Sequence, residues 1–172
     1  MSAELRIPLD IPDVEIIGTE ITKDKRLIIE IKSNLETTEC GLCGQEIRCT
    51  YGYGSERQLR HLPVLGMETY LKFKPRRGQC PDCDHKPTTT QVVDWYQERS
   101  PHTNAYDIWL MKQLINTTIA DVSMRENLGY DAVIGALKRQ IETEVNWSEI
   151  DDLGTIGIDE IAQHKGRNSY TA

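Results

Sequence analysis

The chain is poor in the residues that build large interiors. Hydrophobic residues make up 38% of its 172 positions and aromatics only 6%. No single segment can therefore assemble a thick core, and small modules with thin cores usually depend on a staple such as a bound metal. There is no apolar run near 18 residues and no signal-peptide pattern, which leads to the expectation of a cytoplasmic protein without a membrane partner. Internal repeats and low-complexity tracts are also lacking. A length of 172 residues fits one domain or two small ones.

Basic charge is scarce overall, and the formal net charge is −7. A uniformly acidic chain would argue against nucleic-acid binding, but the distribution is uneven. Residues 142–172 hold seven acids and two bases, so residues 1–141 carry only −2. Between Glu56 and Arg77 stand six bases (Arg57, Arg60, Lys72, Lys74, Arg76 and Arg77) against two acids. A local basic face matters more for phosphate contact than the total. A solvated, charged strand pair is the plainer reading of the same stretch.

Five cysteines are present, and four form two Cys-x-x-Cys pairs: Cys40-Gly-Leu-Cys43 and Cys80-Pro-Asp-Cys83, with 36 residues between them. In a reducing compartment such cysteines are metal ligands rather than disulfides. Each pair lets two thiolates converge from a tight turn whose backbone N–H groups face the sulfurs. Gly44 supplies the positive φ such a turn often needs, and Pro81 fixes φ in the second turn, where Asp84 replaces the usual glycine. Four thiolates suit Zn²⁺ in a structural role, because they leave no open position for water. Rubredoxin-type iron is the rival metal. Cys49 and His85 are near enough to be substitute ligands, but a spare thiol and a surface imidazole are the favoured reading, and His61 in Arg60-His61-Leu62-Pro63 reads as a hydrogen-bonding structural histidine rather than a ligand.

Residues 14–21 and 27–32 predict a β-hairpin, and 58–65 and 67–75 two more extended segments with a bend at Gly66. Residues 86–99 read as irregular, anchored by Trp95 and Tyr96. Ser100-Pro101 reads as a helix start. Helices are predicted over about 101–115, 118–126 and 130–143. The last two predict a helix-turn-helix, with Val122 and Ser123 facing the third helix, Asn127 in the left-handed turn position, and Val133, Ala136 and Leu137 as core face. Tyr130, Asp131, Ile134, Lys138 and Arg139 would then face DNA. A plain three-helix bundle is the alternative. Residues 144–154 read as an acidic linker, and 155–161 as a short apolar strand interrupted by Asp159.

Together these marks resemble the N-terminal part of the ISL-three family of insertion-sequence transposases. The resemblance covers roughly residues 35–170. It rests on Cys40-x-x-Cys43, Arg60-His61-Leu62-Pro63, Arg76-Arg77-x-x-Cys80-Pro81-x-Cys83, Asp121-Val122-Ser123 with Tyr130-Asp131-Ala132-Val133, and Ile158-Asp159-Glu160. It implies a zinc ribbon, a helix-turn-helix that reads terminal inverted repeats in double-stranded DNA, and an RNase H-like domain using three acids and Mg²⁺. Asp159 matches the first acid, and Glu160 points to the opposite face. The second and third acids would lie beyond residue 172, so the chain is expected to be catalytically incomplete, with Mg²⁺ belonging to the complete enzyme only. Ending within the expected second strand reads as a truncated gene or fragment.

The expected fold class is therefore α+β: a β-rich zinc ribbon, an all-α helix-turn-helix bundle, and a truncated RNase H-like strand. The expected divisions are 1–34 (hairpin), 35–99 (ribbon), 100–145 (helix-turn-helix) and 146–172 (linker and truncated strand). A free-standing zinc-ribbon/helix-turn-helix transcriptional regulator and a ribbon that binds protein rather than DNA are the competing functions. Homodimerisation stays open.

Overall fold

The computed structural model describes residue 9, residues 11–48 and 50–141, and two strand pieces at 161–162 and 170–171. The chain divides into two units, Met1–Ile141 and Glu142–Ala172. In the second, β10 (Ile161–Ala162) pairs antiparallel with β11 (Tyr170–Thr171). The expected linker, Asp159 and Glu160 lie outside the described residues, as does Cys49.

The first unit is organised on a four-stranded sheet. β1 (Val14–Ile21) and β2 (Leu27–Ser33) form the expected hairpin. β6 (Arg57–Val64) and β7 (Met67–Phe73) form a second one, and the two hairpins join through a parallel β2–β7 pair, giving the order β1-β2-β7-β6. The β6–β7 turn places Leu65 at φ 51° and Gly66 at φ 77°. Both are left-handed, as a two-residue hairpin turn matched to strand twist requires. The sheet crosses the 34/35 division expected from the sequence.

Alternation along β2 and β7 sends Ile29, Ile31, Leu71 and Phe73 to one face, with Ile29 beside Leu71 and Ile31 beside Phe73. Leu59 of β6 joins them opposite Leu71. Val93, Trp95 and Tyr96 cover this face, and Phe73 meets Trp95 edge-on with ring centres 5.1 Å apart. Trp95 and Tyr96 are thus the packing anchors expected of them. Burying each large aliphatic or aromatic side chain contributes about 2 kcal/mol.

The helices are α1 (Asn104–Gln113), α2 (Ile119–Arg125) and α3 (Tyr130–Gln140). The structure departs from the expected α+β class with an all-α helix-turn-helix bundle: among the described residues strands predominate, the helices are short, and no such bundle is evident. The described helices depend on the sheet for their placement. Arg60 of β6 donates its N–H to Pro101 (2.8 Å) and accepts from the N–H of Thr103 (3.0 Å), so residues 101–103 run along the open edge of the sheet. This also explains why α1 starts at 104 and not 101. The Ser100 hydroxyl is engaged with the His102 backbone, and Thr103 caps α1 instead, accepting from the Tyr106 N–H. Helices of 7 to 11 residues are marginal by themselves. Their shared apolar cluster is small: Tyr106, Leu110, Val122, Val133 and Ala136.

Two buried charge groups complete the attachment. Arg60 forms an ion pair with Glu68 at 2.7 Å, bonds the Tyr70 hydroxyl at 2.8 Å, and lies over the Tyr106 ring. Asp107, fully buried, accepts two bonds from Arg139 (2.6 and 2.9 Å) and one from His102 (2.9 Å). Burial alone would raise the Asp107 carboxyl, but the His102 and Arg139 hydrogen bonds outweigh it and hold it below the usual carboxylate range. Asn127 sits at φ 52°, the left-handed conformation read from the sequence.

Candidate metal centre and the basic surface beside it

Each Cys-x-x-Cys pair occupies the tip of a small hairpin. β3 (Thr38–Glu39) and β4 (Glu46–Ile47) carry the first. In its turn Cys40 donates its N–H to Gln45 and Gly44 donates to Cys40, with Gly44 at φ 72° as anticipated. The second lies between β8 (Arg76–Gln79) and β9 (Thr88–Thr90). There Cys80 donates to Pro87 and Lys86 to Cys83. Asp84 does not take up the glycine conformation; His85 and Lys86 do, at φ 64° and 45°.

The two tips face one another. Cys40 Sγ lies 3.8 Å from Cys83 Sγ, and Cys43 Sγ lies 3.7 Å from Cys80 Sγ. All four sulfurs fall within 4.8 Å of one another, and none is in a disulfide. A tetrahedron with Zn–S near 2.3 Å has edges of about 3.8 Å, so the cluster has the dimensions of a zinc site. Cys40 is held down to about 6 by the backbone N–H groups of Cys43 and Leu42. Cys83 is pushed up by its hydrogen bond with Cys43, then by burial and the other sulfurs. Four thiols this close resist ionising together; a divalent cation removes that conflict. His85 is exposed and outside the cluster. His61 is buried and bonded to the Thr103 hydroxyl at 2.9 Å, the structural role read from the sequence.

The tips are held together by contacts that sequence reasoning missed. Gly41 donates its N–H to the Thr89 hydroxyl at 3.2 Å. Ile47, 2% exposed, packs with Cys40 and Cys80. Gly78 lies so close to the first hairpin that a Cβ there would be 2.8 Å from both Ile47 Cγ2 and Thr38 Cγ2. A lone glycine in a strand is the signal that could have found this approach.

Beside the centre, β5 (Thr50–Tyr53) pairs with β8 in the sheet β5-β8-β9. The basic residues singled out in the sequence are not equivalent. Arg60 is buried in its ion pair with Glu68. Lys72 and Lys74 share Glu56 at 3.4 and 3.3 Å. Arg57 lies over the Tyr96 ring. Arg76 and Arg77 have no carboxylate partner among the described residues; Arg77 bonds only the Thr88 hydroxyl, and Arg76 Nε is buried without a partner. Both line a shallow cleft with Thr50, Arg48 and Glu36. On α3, Tyr130, Asp131 and Lys138 are exposed and Ile134 is half-buried, whereas Arg139 turns inward to Asp107.

Two hairpin tips that bring four thiolates to the corners of a tetrahedron define a structural zinc ribbon, and no ligand position is left over for chemistry. Residues 36–83 match the family described as the zinc-finger of transposase IS204/IS1001/IS1096/IS1165. Over residues 36–83 the chain is thus similar to the zinc ribbon of these transposases, with Cys40, Cys43, Cys80 and Cys83 close enough together to hold a structural zinc. Comparison with curated proteins and with solved structures gives no match. Among the described residues no helix is long and apolar enough to cross a membrane.

Proposed function

We propose that this chain is the DNA-binding part of a transposase, recognising the terminal inverted repeats of its insertion sequence. The observation that carries the reading is the transposase zinc ribbon with two uncompensated arginines, Arg76 and Arg77, on the strand leading into the third zinc ligand, Cys80. Zinc fixes the two hairpin tips, the tips fix β8, and β8 presents guanidinium groups suited to phosphate oxygens. Lys72 and Lys74, two cations against the single carboxylate of Glu56, extend the positive surface.

The test is titration of the zinc-loaded chain with duplex carrying the element's end, over a range of salt. Parent binding should weaken linearly in log–log form as salt rises. Arg76→Ala with Arg77→Ala should lower that slope by about one unit for each phosphate no longer neutralised, and weaken all duplexes alike. The net charge of −7 favours a second reading, a ribbon that binds protein. Absence of any salt-dependent DNA binding would select it.

A further inference from the structure

Four aromatic side chains, Phe73, Trp95, Tyr96 and Tyr106, are buried and committed to packing. Tyr51 and Tyr53 are not. They are 57% and 54% exposed, and every residue of β5 is exposed. Among the described residues neither ring packs against another aromatic ring or lies under a cation. Between them Gly52 stands at φ 90°, where the β5–β8 register shifts. A Cβ at Gly52 would meet nothing within 4 Å, so conformation rather than packing calls for glycine there.

The surroundings of this strand are basic on both sides. Thr50, at one end, lines the cleft of Arg48, Arg76 and Arg77. Tyr53, at the other, lines a groove with Lys72, Lys74 and Ile17. Tyr53 is also the direct cross-strand partner of Arg76, which places ring and guanidinium on the same side of the sheet. Glu56 and Glu30 share the lysine groove and Glu36 the arginine cleft, so the positive charge is partly offset. Open aromatic faces bracketed by basic concavities are the combination that holds unpaired nucleotides: the rings take bases and the cations follow the backbone.

We propose that β5 is a stacking rail for unpaired DNA, with Tyr51 and Tyr53 receiving bases and the flanking arginines and lysines holding the phosphates. The inference rests on the DNA-binding reading and narrows its substrate to DNA that is gapped, frayed or single-stranded at this surface. A base locked in a duplex keeps its faces covered by its neighbours, so the rail discriminates by strand state.

The experiment uses fluorescence anisotropy with the zinc-loaded chain and three labelled probes of one sequence: single strand, duplex, and duplex with a four-nucleotide gap. The variants are Tyr51→Ala/Tyr53→Ala and Tyr51→Phe/Tyr53→Phe, each checked for zinc content. The alanine pair should weaken single-strand and gapped binding by about ten-fold or more, while duplex affinity stays at the parent level. The phenylalanine pair should retain binding, because stacking needs the ring and not the hydroxyl. Gapped and single-stranded affinities unchanged in the alanine pair would overturn the rail and leave duplex binding standing. Failure of the parent to bind any of the three probes would overturn the DNA reading itself.

Discussion

Replacing Gly78 by alanine should loosen the zinc centre without touching a ligand. The added methyl would be 2.8 Å from Ile47 Cγ2, 2.8 Å from Thr38 Cγ2 and 3.3 Å from Ile47 Cβ. Real Cβ atoms do not approach so closely, so β8 and the β3–β4 hairpin must move apart. Ile47 packs directly on Cys40 and Cys80, so that movement reaches both halves of the tetrahedron. Overpacking a tight contact costs about 1–3 kcal/mol. Zinc binding and folding of the ribbon are linked, and each 1.4 kcal/mol is a factor of ten, so apparent zinc affinity should fall by roughly five- to hundred-fold. Competition against a chromogenic chelator measures this. Thr38→Ser removes one of the two clashing methyls and should restore part of the loss. A Gly78→Ala protein with parental zinc affinity would refute the close packing of the two hairpins.

Metal analysis of the purified chain should give about one zinc, and Cys43→Ser should lose it while the far-ultraviolet helical signal persists, since the helices are attached through β6 and not through the ribbon tips. Arg139→Ala should lower the thermal midpoint, with a cost of about 3 kcal/mol, because it strips the buried Asp107 of two charge-assisted hydrogen bonds; a midpoint unchanged from the parent would contradict the buried pair. Stability should fall in acid in two stages. Burial lowers His61 below its ordinary 6.5, so its neutral form is favoured on folding; that stabilisation is complete above 6.5 and is lost as pH falls through the lowered value. Asp107, held below 3.8, loses its contribution at still lower pH, and denaturant titrations of a His61→Asn variant across pH 4–7 should remove the first stage alone.

The zinc ligands were legible from the sequence because a Cys-x-x-Cys turn is a local object: its two thiolates converge whatever the rest of the chain does. The β1–β2 hairpin, the bend at Gly66, the anchors Trp95 and Tyr96, and the left-handed Asn127 were legible for the same reason, since turn chemistry and alternation act over a few residues. What the tertiary structure alone decided depends on partners distant in the chain. The parallel β2–β7 pairing turns two separate hairpins into one sheet. That sheet's open edge takes up residues 101–103, moves the cap of α1 to Thr103, and leaves the helices as short elements tied to a mostly β molecule. Arginines that look alike in sequence part company too. Arg60 and Arg139 are drawn into ion pairs with Glu68 and Asp107, while Arg76 and Arg77 find no acid among the described residues. A charge count sees the side chain, whereas burial and the position of the opposite charge decide whether that side chain holds the fold together or faces a ligand.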